Sequence, residues 1–227
     1  MIKLDPRLQA AADFVLPGRA MADIGTDHAY LPIYLVSSGI CPRAIAADKA
    51  AWPIQAAAPI IKAHACGDRI SLRCGDGLSV LTAGEADTIV LCGMGGQLMM
   101  EILQEGQSIL QETKRLVLQP QKHIDLLRYW LAEHDWRIVA ESIVESKGFF
   151  YSIIAAEPGK MELSPNEAQF GPLLLKERSP EFLAWLRWQI SEKEGIYQSL
   201  QKQSGSMILS RLSELEEELK NMRQLMG

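Results

Sequence analysis

From residue 4 to residue 156, short apolar runs alternate with stretches whose apolar positions recur every three or four residues, and these two periods separate strands from helices. Residues 4–15 predict a helix. Asp5 can cap it, Pro6 suits its first position, and Leu8, Ala11, Ala12 and Val15 keep to one face. Strands are expected at 19–24, 44–47 (ending at Asp48), 70–73, 88–92 and 115–118, and helices at 30–38, 54–64, 98–110 and 124–134. Residues 137–145 and 149–156 predict a closing pair of strands around Ser146, Lys147 and Gly148. Apolar strands alternating with helices imply a parallel sheet covered on both faces, here with an antiparallel edge. The expected fold class is α/β, a Rossmann-like sheet with a terminal antiparallel pair, followed by a C-terminal antiparallel helical, coiled-coil-like hairpin.

The pattern changes after Glu157, Pro158 and Gly159. Residues 157–172 hold three prolines and two glycines and read as a linker. Two helices follow, the first opening at Ser179, Pro180 and Glu181. In the second, Ile208, Leu212, Leu215, Leu219, Met222 and Met226 form a heptad seam. Leu186, Ile190, Tyr197 and Leu200 supply a matching stripe that Lys193 interrupts, and Ser204, Gly205 and Ser206 are the expected turn. The expected domains are therefore a Rossmann-like domain over 1–159 and a linker with helical hairpin over 160–227.

Composition narrows the class without naming a reaction. The chain of 227 residues is 48% hydrophobic and 22% charged, an ordinary globular balance. Its formal charge of -5 gives no global basic signature for nucleic acid. No apolar run reaches the length of a membrane span and the N-terminus lacks a signal-peptide core, so a cytoplasmic location is expected. Cys41, Cys66, Cys74 and Cys92 have no zinc spacing, so no metal is expected and the thiols read as reduced.

The candidate chemistry lies at the strand ends, where open α/β sheets bind ligands. The loop after the first strand, residues 22–32, has a single glycine, Gly25, and two carboxylates, Asp23 and Asp27. A pyrophosphate cradle needs bare N–H groups, and carboxylates there would repel its ligand. A cationic, phosphate-free ligand has the opposite need, which points to S-adenosylmethionine (SAM). Candidate cofactor-binding residues are Asp23, Gly25, Asp48, Lys49, Asp76, Gly77, Cys92, Gly93 and Met94. Asp48 can accept from ribose hydroxyls and Asp76 from an adenine amino group, and the small residues of the fourth strand end admit the methyl group and a substrate. An aspartate at a strand end is also a common helix cap, His28 is more often a core or helix-start residue than a base, and Trp130, Trp136, Trp185 and Trp188 read as packing residues. Only the ordered series of acidic strand ends raises the ligand reading above these.

Asp-Ile-Gly-Thr-Asp-His-Ala-Tyr-Leu-Pro at 23–32, Gly-Met-Gly-Gly at 93–96 and Leu-Gln-Pro at 118–120 resemble the bacterial tRNA adenine-22 N1-methyltransferase family, as does the segment from Tyr151 to Gly159. The resemblance spans most of the chain. It implies SAM-dependent methylation of N1 of one adenosine in the tRNA D-arm, with tRNA as partner and no membrane. The chain is expected to be a monomer or weak dimer. Thr26 stands where the family pattern has serine, and Asp48 where it has glutamate. On this reading Asp27, His28 and Tyr30 are the catalytic candidates. Asp27 would orient the adenine amino group or stabilise the positive ring, with His28 and Tyr30 positioning the base. Lys3, Arg7, Lys122, Arg128, Arg187 and Lys193 are the expected RNA-contacting cations. A methyltransferase for a small molecule or protein, and a non-catalytic RNA-binding protein of the same fold, are the alternatives.

Overall fold

The computed structural model describes residues 2–202 and 205–226. Among them, ten helices, one 3₁₀ turn and seven strands follow each other in the order α1 (Pro6–Asp13), β1 (Met21–Ile24), α2 (Tyr30–Ser37), β2 (Ala44–Asp48), α3 (Ala51–Ala63), β3 (Ile70–Cys74), the 3₁₀ turn (Gly77–Val80), β4 (Thr88–Met94), α4 (Gly96–Glu105), α5 (Gln107–Leu110), β5 (Arg115–Pro120), α6 (Ile124–Glu133), β6 (Trp136–Ser146), β7 (Phe149–Pro158), α7 (Pro165–Phe170), α8 (Pro172–Glu177), α9 (Pro180–Leu200) and α10 (Ser206–Met226). The sheet order is β3-β2-β1-β4-β5-β7-β6. β1 to β5 are parallel to one another, and β7 enters antiparallel between β5 and β6. The chain divides into two compact units, one up to Leu173 and one from Leu174.

Both sheet faces are apolar, and the alternation along each strand decides which residue faces which way. Met21, Ala46, Val90 and Val117 join one buried cluster with α1 and α2 residues, including Ala11 and Leu35. Ala22, Ala47, Leu91 and Leu118 join the other, with Met99 of α4 and Leu131 of α6. Asp23 and Gln119 share the parity of Met21 and Val117, so their side chains belong to the α1 face at the carboxyl ends of β1 and β5. The first helix forms as its capping pattern requires, with Leu8 N–H donating to Asp5 at 2.8 Å.

Three elements depart from expectation. The helix expected at 54–64 starts at Ala51 and runs past Pro59. Pro53 falls in its first turn, where a missing N–H costs little. The helix expected at 98–110 is broken at Gly106 into α4 and α5. The segment read as linker is partly regular. β7 continues to Pro158, with Arg115 Nε donating to Glu157 at 3.0 Å. Ser164 and Glu167 then form a reciprocal capping box that starts α7. Residues 160–173 are counted with the first unit.

In the second unit α9 and α10 form an antiparallel hairpin. Ion pairs run Lys193 to Glu218 and Arg223 to Glu194, the latter at 2.7 Å, and the Tyr197 hydroxyl donates to Glu216. Leu215, Leu219 and Met222 are the buried part of the heptad seam. Lys193 interrupts the facing stripe because it reaches this carboxylate. Of the expected turn, Ser204 lies outside the described residues. Among the described residues, no helix is long and apolar enough to cross a membrane.

Candidate active site

Two adjoining cavities open at the carboxyl ends of the parallel strands. The larger, about 510 Å³, is lined by Asp23, Gly25, Thr26, Asp27, His28 and Tyr30 from β1 and the following loop, by Cys92 and Gly93 of β4, by Asp5 and Arg7 at the start of α1, and by Gln121, Lys147 and Tyr151. The smaller, about 90 Å³, is lined by Gly25, Asp48, Lys49, Asp76, Gly77 and Met94, with Leu98 and Ile102 of α4 beneath. All twelve candidate residues of the sequence reading line one cavity or the other, and Gly25 lines both.

The loop between β1 and α2 is tied down at its start and exposed at its tip. Gly25 and Thr26 both donate backbone N–H groups to the Ala47 carbonyl of β2, at 2.8 and 2.9 Å. Gly25 has φ +80, a left-handed conformation that a side chain would strain. A Cβ there would also stand 2.0 Å from the Met94 methyl, which rests over Gly25 where the two cavities meet. The loop then turns through Ala29, buried and left-handed at φ 54. Holding an alanine in that region costs on the order of 1 kcal/mol. This strained turn leaves Asp27 and Tyr30 exposed at the cavity mouth.

Asp23 is 7% exposed, and the Thr26 hydroxyl donates to it at 2.7 Å. A serine at position 26 could make the same bond, so the departure from the family pattern keeps the function. Burial pushes the Asp23 carboxyl up to about 6, against the lowering effects of the Thr26 hydroxyl and the Arg7 charge. Asp48 accepts the Ala50 N–H at 2.7 Å through one oxygen, which leaves the other to face a ligand. Burial, followed by the Asp23 charge, pushes the Cys92 thiol well above its ordinary range, so it is a neutral space-filling group rather than a nucleophile. Asp27 Oδ1 lies 3.6 Å from His28 Nε2. The His28 ring packs against Tyr30 at 5.4 Å and against Trp52 at 5.8 Å, edge-on.

The acceptors at Asp48 and Asp76 fit a ribonucleoside. The buried carboxylate of Asp23 fits a cation, and the aromatic group at the mouth fits a flat base. Among the described residues, no cluster of three or more histidine, cysteine or acidic side chains is placed to hold a metal ion.

Three residues of the site, Gln119, Tyr151 and Trp52, had no role assigned from sequence. Gln119 is fully buried, and its Oε1 accepts from both Arg7 Nη1 at 2.8 Å and Gly93 N–H at 3.0 Å. Its signals were a polar residue closing an otherwise apolar strand and its place in the Leu-Gln-Pro motif. Gly93 itself adopts φ +77 at a bulge in β4, which turns its N–H to this amide. Tyr151 lies under the Arg7 guanidinium, 5.8 Å from carbon to ring centre. Trp52 is 66% exposed beside His28. Two expected RNA contacts are corrected. Arg128 is fully buried against Glu141, and Lys193 is paired with Glu218.

Comparison with known proteins gives one family. The model of the tRNA (adenine(22)-N(1))-methyltransferases matches residues 21–224. The tRNA (adenine(22)-N(1))-methyltransferase of Bacillus subtilis is 36% identical over 205 residues, 88% of this chain and 86% of the relative. A Streptococcus pneumoniae protein described as a putative tRNA (m1A22) methyltransferase, solved with S-adenosyl-L-methionine, superposes with a TM-score of 0.88 at 36% identity over 100% of both chains. The Mycoplasma capricolum TrmK structure with S-adenosyl-homocysteine gives 0.83 at 26% identity, covering 98% of this chain and 97% of that one.

Proposed function

The chain belongs to the tRNA (adenine(22)-N(1))-methyltransferase family, and on that premise we propose how its own residues transfer a methyl group from SAM to N1 of adenosine 22 in tRNA. The observation that supports the assignment is the convergence of all twelve candidate residues on two cavities that share Gly25. The smaller cavity takes the adenosine half of SAM. There Asp48 accepts from the ribose hydroxyls, Asp76 accepts from the adenine amino group, and Lys49 and Gly77 flank them. The larger cavity takes the methionine half together with the target base. Asp23 holds the cationic tail of the cofactor, and Cys92, Gly93 and Met94 leave room beside it.

Bound SAM supplies an electrophilic methyl group on a positively charged sulfur. N1 of adenine carries its own lone pair, so the protein needs alignment more than a strong base. His28 and Tyr30 hold the flipped base, whose extraction from the stack costs about a few kcal/mol. Asp27 accepts from the exocyclic amino group and faces the positive charge that grows on the ring. The exposed Asp27 carboxylate and the mouth position of Tyr30 suit a large substrate that enters from outside. They favour RNA over a small molecule.

Purified protein is expected to convert an unmodified tRNA transcript to the N1-methylated form at position 22, read as a reverse-transcription stop there. A transcript with guanosine at that position should accept no label from methyl-labelled SAM. Label in the guanosine transcript, or in protein alone, contradicts the reading.

The Asp23 carboxyl also predicts a pH dependence. Its folded value of about 6 lies above the ordinary value of 3.8, so the folded protein holds the proton more tightly. Stability is therefore unpenalised below the ordinary value, and the penalty builds as pH rises towards the folded value. A cationic ligand prefers the ionised form, so SAM binding runs the opposite way. SAM affinity is expected to fall about tenfold from pH 7 to pH 5 by calorimetry, with close to one proton released per site on binding at the lower pH. Asp23→Asn should bind more weakly at pH 7 and lose this slope. A slope that survives in Asp23→Asn removes Asp23 from the role.

A further inference from the structure

Arg7 is a cation inside a cavity built for cations. The larger cavity carries the carboxylates of Asp5, Asp23 and Asp27. Both the cofactor's sulfonium and the methylated base are positive, and neither gains from a guanidinium beside it. Yet Arg7 is placed with care. Its side chain is 23% exposed, Asp5 lies 3.8 Å from its Nη2, and its Nη1 donates to Gln119 Oε1 at 2.8 Å. That amide has one consistent orientation. Its oxygen takes Arg7 and the Gly93 N–H, and its Nε2 donates to the Pro120 carbonyl at 3.3 Å. A fully buried glutamine thus fixes a guanidinium at the same strand ends, and on the same sheet face, as Asp23.

Resting on the SAM reading, we propose that Arg7 binds the α-carboxylate of SAM and that Gln119 is the positioning residue that aims it. SAM ends in an amino acid, whose ammonium and carboxylate require opposite partners a few ångströms apart. Asp23 and Arg7 supply that pair on one face of the sheet, next to Gly25. A carboxylate is also the one anionic group the cofactor carries. An RNA phosphate is the competing partner. It is disfavoured because the guanidinium lies partly buried between α1 and the ends of β4 and β5, one nitrogen already committed to a buried amide. This reassigns Arg7 from the expected RNA-contacting cations to the cofactor.

The test is a cycle with two ligands, SAM and decarboxylated SAM, which differ by the carboxylate alone. Calorimetry on the full chain is expected to show the wild type binding SAM at least tenfold more tightly than the decarboxylated form. Arg7→Met should lose that preference by weakening SAM and leaving decarboxylated SAM within twofold. Gln119→Met should show a smaller loss confined to SAM. Equal weakening of both ligands in either variant would reduce that residue to a structural role. Unchanged SAM binding in Arg7→Met with a raised KM for tRNA would hand Arg7 to an RNA phosphate. Equal binding of both ligands by the wild type overturns the proposal without any variant. Failure of the wild type to bind SAM at all would instead overturn the cofactor reading beneath it.

Discussion

Arg128→Met is expected to lower the unfolding free energy by about 3–5 kcal/mol, the usual cost of removing one partner of a buried ion pair. Arg128 and Glu141 are 2% and 0% exposed at their side chains, and Arg128 Nε donates to Glu141 Oε1 at 2.9 Å. A further guanidinium nitrogen and the second carboxylate oxygen are also committed. Arg128 Nη1 donates to the carbonyls of Ala168 at 2.9 Å and Gln169 at 3.2 Å, and Glu141 Oε2 accepts the Leu173 N–H at 3.0 Å. One pair therefore ties α6, β6 and the segment around α7 together within the first unit. The substitution takes the guanidinium away from a buried carboxylate and leaves two carbonyls without this donor. Thermal unfolding should shift down by on the order of 10 °C. The double variant Arg128→Met, Glu141→Leu should recover much of the loss, because it no longer buries an unpaired charge. A single-variant loss under about 1 kcal/mol would mean that the site is wet and the pair screened.

The same arginine shows where reading from sequence stops. Charged side chains are exposed by default. Position 128 falls on the apolar stripe of α6, four residues after Ile124 and three before Leu131, but nothing within the helix names the partner that lets a charge lie there. Its partners lie 13 and 40 residues away and meet it only after β6 pairs with β7 and α7 docks. Arg7 and Gln119 are a sharper case. They are 112 residues apart, joined only because β5 lies beside β4 with its end beneath α1. By contrast, Asp23, Asp48 and Asp76 were legible, because each lies at or just past the end of a short strand and parallel strands deliver their carboxyl ends to one edge whatever their order. The α7 start was legible in principle, since Ser164 and Glu167 have capping-box spacing, but the surrounding prolines and glycines pointed to an irregular linker. Trp52 had no role assigned from sequence, because only the position of His28 across the loop makes it part of the site.

The central claim is that one short loop serves both halves of the reaction, with Asp23 and Gly25 at the cofactor and Asp27 at the target adenine. Asp23 is buried and held by Thr26, while the Asp27 side chain is 76% exposed on the cavity side of the same loop. Four residues apart, the two carboxylates should therefore respond to different ligands. Removing Asp27 deletes an acceptor that matters most when positive charge develops on the ring, an effect worth roughly a hundredfold in rate. It should not disturb the buried anchor of the cofactor. The decisive measurement is single-turnover methylation of tRNA by Asp27→Ala, with SAM affinity measured on the same preparation. The expected result is a rate lower by roughly a hundredfold with SAM affinity within twofold of wild type. Wild-type turnover, or a loss of SAM affinity large enough to account for the lost rate, would contradict the division of labour in this loop.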